Sequence, residues 1–440
     1  MAGGMMETGQ QTEENRPKPG SLVPLAFLAI LTGIGAGAVG AVFRLALDYG
    51  VVLRDFVLAQ TRGYEIGGLV LAMAVAALAT ALAATLVRRF APAASGSGIP
   101  HVEAVLDGEL RPTPVWLIPI KFVGGWLAIT AGLALGREGP SVQMGASLAH
   151  LVGQVFRRDK ADQRSLIAGG AGAGLATAFN APAAGSIFVL EELVGRFEPR
   201  MAVVALGASA GAIAVSRHIS GDAPDFIVGT FVAGGLGALP LYLVLGLFAG
   251  LLAILYNRSL LGTLVVADWI GGPVEVRAAV IGAAVGALAW MAPDLVGGGD
   301  NLTQITLNGQ LPLMLLPMIF LIRFVLGAVS YAAATPGGLF APLLLLGALA
   351  GLAFGAGCNV IFPGMELQPQ AFAFVGMAAF FAGVVRAPLT GIVLVVEMTG
   401  SSALLLPLLC ACFGAMAVPS VLRDEPIYEA LRFRAARRVR

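Results

Sequence analysis

A chain of 440 residues with 58% apolar residues, 59 glycines and only 12% charged residues is not a soluble globular domain, where about 25% of residues carry charge. Its formal net charge of +1 gives no basis for nucleic-acid binding, and its mean hydropathy of +0.86 is that of a protein embedded in a lipid bilayer. At roughly 20 apolar residues per crossing there is room for about ten or more membrane segments, so the expected fold is an all-α, polytopic integral membrane protein.

Residues 1–20 are polar, with Glu13, Glu14, Pro17 and Pro19, and lack both the basic start and the apolar core of a cleaved signal peptide. A short disordered tail is expected there. Residues 21–47 and 67–87 are long apolar segments, the second closed by Arg88 and Arg89. Then comes the break Ser95-Gly96-Ser97-Gly98-Ile99-Pro100, followed by a helical pattern over only 101–106 before Asp107 and Gly108. That piece is too short to cross a bilayer and reads as a re-entrant half-helix, with the Ser97 hydroxyl at its start.

An apolar run over 115–135, which contains Lys121, leads into Gly136-Arg137-Glu138-Gly139-Pro140. A helix is expected to begin at Pro140 and continue through Gly145, Leu148 and Val152, with Gly139 still outside it. At membrane depth the unpaired amides of such a helix start carry the positive end of its dipole and suit an anion. Glu138 is tethered where that anion would bind, so its carboxylate can fill the place itself and leave it when protonated. In a soluble protein the same glutamate would merely satisfy the dipole; the membrane context decides between the two. Arg137 is the one nearby cation, and pairing away from the pathway is expected of it rather than direct anion coordination.

A polar loop with Arg157, Arg158, Asp159, Lys160, Asp162 and Arg164 precedes an Ala/Gly-rich helix over 166–178, broken at Phe179-Asn180-Ala181-Pro182. The next apolar helix, 183–193, ends on Glu191 and Glu192, which on local grounds marks a helix reaching water. Apolar segments follow at 201–216, 226–256, 275–292 and 311–333, and the loop Gly297-Gly298-Gly299-Asp300 suggests no chemistry. A third break, Pro336-Gly337-Gly338-Leu339-Phe340-Ala341-Pro342, is followed by three segments within 371–419, interrupted at Arg386-Ala387-Pro388. Cys358, Cys410 and Cys412 lack metal-ligand spacing, and His101, His150 and His218 do not cluster with them, so neither a metal site nor a cofactor is expected.

These breaks repeat. Gly136 to Pro140 aligns with Gly338 to Pro342 at an offset of 202 residues, which also brings Gly145 onto Gly347. Ala181-Pro182 aligns with Ala387-Pro388 at an offset of 206, bringing Gly185 onto Gly391 and Glu191 onto Glu397. Interrupted segments at corresponding places in two halves point to a transporter site at the repeat interface. The expected organisation is the polar tail over 1–20, a transmembrane domain over 21–434 made of two repeats (about 21–216 and 226–434), and a basic tail over 435–440.

With these motifs the chain resembles the CLC family of chloride channels and proton/chloride antiporters, over about residues 21–434. The resemblance implies three anion-binding half-helix starts, at Gly96 to Pro100, Gly136 to Pro140 and Gly338 to Pro342. It further implies chloride held by the hydroxyls of Ser97 and Tyr428 and by the amides of Leu339 and Phe340, with Glu138 as the outward-facing gating glutamate. Gly98, Gly139 and Pro100 complete the supporting motif. Glu192 matches the position where proton-coupled members carry an internal proton-transfer glutamate, which favours an antiporter over a passive chloride channel, the alternative reading. Ser97 resembles chloride-selective members. Lys121 and Glu103 also match and are expected to support structure. A homodimer with a separate pathway in each subunit is implied by the resemblance alone.

Many relatives carry cytoplasmic nucleotide-sensing domains after the position of Tyr428, and none is expected here. Arg432, Arg434, Arg437, Arg438 and Arg440 form a basic end that the positive-inside rule places in the cytoplasm. A multi-pass protein of a prokaryotic plasma or inner membrane, with both termini cytoplasmic, is therefore expected. An intramembrane enzyme drawn from Ser97, Glu138, Glu192 and Tyr428 lacks a base placed to activate Ser97, so no enzyme is expected. The partners expected are chloride, protons and the lipid bilayer.

Overall fold

Helices account for the architecture in the computed structural model, which describes residues 21–229 and 235–439; the expected tail over 1–20 and the side chains of Arg438 and Arg440 lie outside the described residues. In the first half these are α1 (Leu22–Thr61), α2 (Glu65–Phe90), α3 (Ile99–Leu106), α4 (Leu117–Thr130), α5 (Glu138–Val155), α6 (Lys160–Phe179), α7 (Pro182–Phe188) and α8 (Pro199–Ser220). The second half holds α9 (Leu239–Ile270), α10 (Val274–Met291), α11 (Asp300–Leu307), α12 (Leu316–Ala332), α13 (Phe340–Ile361), α14 (Pro369–Val385), α15 (Pro388–Thr399), α16 (Leu405–Val421) and α17 (Ile427–Val439). Among the described residues there are no strands, only two isolated β-bridges.

Apolar sequence is sorted by what each helix faces. Every residue of α14 from Ala371 to Val385 is buried, as expected of a helix apolar all round at the centre of a large protein. By contrast, α1, α2 and α9 leave Phe27, Phe56, Leu78, Phe248 and Leu251 exposed, the outward apolar surface that a hydrocarbon solvent requires. Six stretches among the described residues are long and apolar enough to span a membrane, the first containing both α1 and α2. The apolar α4, α14, α15 and α16 are shorter, which is what broken and re-entrant helices produce.

The two halves are built alike. On α1, Gly33 and Gly37 lie against the backbones of Ala208 and Ala212 of α8; on α9, Gly246 and Gly250 lie against Ala411 and Ala415 of α16. A methyl group at any of the four would strike a carbonyl, so the spacing of small residues sets how closely each pair packs. Likewise Gly145 of α5 meets Gly170 of α6, and Gly347 of α13 meets Gly376 of α14.

Three boundaries differ from the sequence-based expectation. The helix after the central motif starts at Glu138, two residues before Pro140, because the first helical amides have no intrahelical partner and a proline at the third position removes nothing. The first helix runs on to Thr61 instead of stopping near 47, with Trp126 Nε1 of α4 donating to Ala46 O at 2.8 Å beside the polar Asp48. The segment expected from 226 becomes α-helical only at Leu239, after the short 3-10 turn Leu236–Ala238.

Candidate anion site

Three glycine-rich breaks meet at the centre of the molecule and are stitched to one another. Gly136 N–H donates to Gly338 O at 2.9 Å, and Gly338 N–H returns the bond to Gly136 O at 2.7 Å. The repeat aligns these two glycines, and in the fold they pair reciprocally. The first break joins through Gly96 N–H to Thr335 O and Gly337 N–H to Gly96 O, both 3.1 Å. Gly96 and Gly98 take φ of +64° and +88°, which a residue with a Cβ adopts only under strain. Lys121, fully buried, donates from Nζ to Ala94 O at 2.9 Å and Gly96 O at 2.8 Å, so the motif lysine fastens the loop ahead of Ser97.

The helix starts then converge. Phe340 is the first residue of α13, and its amide has no intrahelical partner. It donates instead to Glu138 Oε1 at 2.6 Å, while Glu138 Oε2 has no partner. A methyl group at either Gly136 or Gly338 would run into this carboxylate, so the two glycines make its pocket. Glu138, Leu339 and Phe340 are all 0% exposed.

Ser97 and Tyr428, 1% and 0% exposed, bring hydroxyls within reach of each other, and no other residue supplies a hydrogen-bond partner to Ser97 Oγ or Tyr428 Oη. Ser97 Oγ lies against Gly139, and Tyr428 packs against the Phe340 ring with centroids 6.0 Å apart. Phe340 is itself held by Phe179, Phe188 and Phe381 at centroid distances of 6.3, 5.8 and 4.5 Å. Two buried donors and a helix-start amide thus surround one spot without any free cation among them. Buried donors of this kind need an acceptor, and a small anion is one that can serve all three.

The charges nearby are turned elsewhere. Arg137 donates from Nε to Ala178 O at 2.7 Å and from Nη2 to Asp225 Oδ2 at 3.0 Å, with Asp300 3.9 Å from Nη1. Asp225 also pairs with Arg44 at 2.5 Å. Nothing in the sequence points to Asp225, which lies far along the chain, and the Gly297 to Asp300 loop carries no motif that suggests its role. That loop is built around Arg323, 2% exposed, whose guanidinium holds the carbonyls of Leu295, Gly297 and Gly298 at 2.9–3.1 Å. Tyr331 likewise escapes sequence reasoning: its Oη accepts from Ser97 N–H at 3.4 Å and so fixes the serine backbone.

Glu191 and Glu192 separate at a π-turn, Val189–Leu193, that ends the α7 segment. Glu191 leaves toward the other half and caps α15, accepting from Leu389 N–H at 2.9 Å, Thr390 N–H at 2.6 Å and Thr390 Oγ1 at 2.7 Å. Its repeat counterpart Glu397 caps α7 through Ala183 N–H at 3.0 Å and Ala184 N–H at 2.8 Å. Glu192 instead lies within electrostatic reach of Glu103, Glu191 and Glu429, and Tyr428 within reach of both Glu192 and Glu138. Glu103 is 8% exposed and its Oε1 has no partner.

A family described as "Voltage gated chloride channel" matches residues 79–420. The chain is 39% identical over 420 residues to proteins named H(+)/Cl(-) exchange transporter ClcA from Salmonella schwarzengrund and Citrobacter koseri, covering 93% of this chain and 88% of each relative. The solved structure of a slow cyanobacterial Cl-/H+ antiporter superposes with a TM-score of 0.89 at 34% identity, covering 93% of this chain and 97% of the other. A eukaryotic CLC transporter superposes with a TM-score of 0.79 at 25% identity, covering 94% and 74%.

Proposed function

The chain belongs to the voltage gated chloride channel family and is a chloride/proton exchange transporter, neither a passive channel nor an enzyme, and from that premise we propose how its residues divide the work. Chloride is held by the Ser97 and Tyr428 hydroxyls and by the amides of Leu339 and Phe340. Glu138 competes with chloride for the same donors and carries the proton, and Glu192 passes protons between Glu138 and the inner solution. The observation that carries this reading is the Phe340 amide, bound to the Glu138 carboxylate beside two buried hydroxyls that have no partner except each other. Protonation removes the negative charge that keeps the carboxylate there, and chloride, bearing the same charge, takes its place. Chloride and proton movement are thereby tied to one amide.

Dipoles and hydroxyls suit this task better than a lysine. They dehydrate an anion without trapping it, whereas an unpaired ammonium would hold it too tightly to release. Lys121 and Arg137 are close enough to shape the field but are already committed to carbonyls and to Asp225.

The test uses purified protein in chloride-loaded liposomes, where an outward chloride gradient is expected to drive protons inward even against their own gradient. Dissipation of chloride without proton uptake would overturn the exchange mechanism assigned to these residues. Tyr428→Ala removes one hydroxyl donor, a hydrogen bond to a charged partner of about 1.5–3 kcal/mol, so chloride binding is expected to weaken roughly 10- to 100-fold by calorimetry. Unchanged affinity would return Tyr428 to a packing role.

The same reading extends to topology and assembly. Arg164 Nε bonds Leu106 O at 2.6 Å and Arg432 bonds Asp107 at 2.5 Å, which gathers the basic 157–164 loop, the end of α3 and α17 on one face. Positive residues favour the cytoplasmic side, so this face is assigned inward, with both termini cytoplasmic, in a prokaryotic plasma or inner membrane. The two repeats divide in the connection between α8 and α9, a division supported by the paired glycines and the exchanged Glu191 and Glu397 caps. A homodimer with one pathway per subunit completes the proposal.

A further inference from the structure

Ser97 lies just ahead of α3 and Tyr428 in the first turn of α17, and these two helices are tied together at the end of α3 and the second turn of α17. Ser97 stands just before α3, an eight-residue rod about 12 Å long. Asp107 follows it directly, and Glu109 is folded back by a bond from its N–H to Ala104 O at 2.8 Å. On α17, Tyr428 and Arg432 are four residues apart and share one face.

The Arg432 guanidinium closes the circuit. It donates from Nη1 to Asp107 Oδ2 at 2.5 Å, from Nε to Glu109 Oε2 at 2.9 Å and from Nη2 to Glu109 Oε1 at 2.5 Å. The linker ahead of α17 is held as well, with Arg386 Nη2 on Asp424 O at 2.8 Å and Asn257 Nδ2 on Glu425 O at 3.4 Å. Tyr428 lies near that fixed end, so the remaining freedom of α17 is to swing its second turn; Arg434, paired with Asp268 of α9, limits it on one side, and Arg432 is the tie to the end of α3.

We propose that Arg432 is a positioning residue for exchange: by tying α17 to the end of α3 it holds the Tyr428 hydroxyl against Ser97 and closes the inner side of the chloride site. The proposal rests on the reading of Ser97 and Tyr428 as chloride ligands. An isolated exposed ion pair would do little, but a guanidinium fork on one carboxylate, with a second carboxylate on its remaining nitrogen, permits a single geometry. The hydrogen bond from Arg432 also holds the Glu109 carboxyl below the usual carboxylate range.

The experiment measures chloride moved per proton in liposomes. Arg432→Ala and the near-isosteric pair Asp107→Asn with Glu109→Gln are each expected to raise that ratio about two- to fivefold, the population shift that loss of an ion-pair network of this strength produces. Arg432→Lys, which cannot fork, is expected to fall between, and Arg432→Glu combined with Glu109→Arg to bring the ratio back down. A loss of stability alone would lower the number of active molecules and leave the ratio unmoved. The proposal is overturned if both loosening variants keep the original ratio, or if the charge swap does not lower it. Tyr428→Ala in the same liposomes separates the two readings. If it raises the ratio while the Arg432 variants do not, only the role of Arg432 falls; if it too changes nothing, the chloride-ligand reading falls and this proposal with it.

Discussion

Glu138→Ala is expected to move chloride and carry no protons. The carboxylate is the group hydrogen-bonded to the Phe340 amide, and deleting it frees that donor and the pocket made by Gly136 and Gly338. Chloride can then occupy the place permanently. The neighbouring charges supply no replacement proton carrier: Lys121 is spent on the carbonyls of Ala94 and Gly96, and Arg137 on Ala178 and Asp225. A guanidinium does not give up its proton under any working condition. The loss should therefore be complete rather than graded. Glu138→Gln separates shape from titration, because it keeps the volume and cannot ionise; it too should be uncoupled, with slower chloride movement than the alanine variant because the pocket stays filled. Chloride-driven proton uptake that persists in either variant would end the role assigned to Glu138.

Part of this site is legible in the sequence because its chemistry is local. A glycine-then-proline break inside apolar sequence points to a helix start, and two such breaks draw attention to Ser97 and Glu138 locally, whereas Leu339, Phe340 and Tyr428 enter only through the resemblance to the CLC family. The repeat offsets are informative for a physical reason that only the fold shows. Gly136 and Gly338 bond each other, and Glu191 and Glu397 each cap a helix of the other half, so these two aligned pairs join the halves as well as resemble each other. What escapes the sequence is long-range. Asp225 reaches Arg137 from 88 positions away, and Arg432 reaches Asp107 from 325. No periodicity encodes such partners. The start of α5 at Glu138 is not fixed by Pro140, because any of the first few helical positions tolerates proline equally.

Glu191 and Glu192 show how a tandem pair can be resolved by geometry. Local sequence treats them alike, as a helix reaching water. The π-turn sends consecutive side chains to different partners: Glu191 spends its oxygens on Leu389 and Thr390, while Glu192 stays within reach of Glu103 and Glu429. A carboxylate whose oxygens already accept three hydrogen bonds is fixed in place and is a poor relay, whereas Glu192 lies within reach of Glu103 and Glu429 and is not tied to a helix start.

Glu192→Gln is accordingly expected to abolish proton movement while chloride still crosses. A proton from the inner solution needs a titratable station before Glu138, because the aromatic cluster of Phe179, Phe188, Phe381 and Tyr428 around Phe340 offers no carboxylate. Glutamine preserves the size of the side chain and cannot ionise, so the Ser97 and Tyr428 hydroxyls and the Arg432 tie should stay in place and chloride binding should be unchanged by calorimetry. Glu191→Gln is the matched control. It weakens the cap on α15 and should lower thermal stability, but proton coupling should continue in the molecules that remain folded. In liposomes with an outward chloride gradient, the expected pattern is proton uptake in the unmodified protein and in Glu191→Gln, and none in Glu192→Gln. If Glu192→Gln still pumps protons, the inner station is not Glu192; if Glu191→Gln is the variant that stops, the relay runs through the cap, and the division of labour at the π-turn is the reverse of the one drawn here.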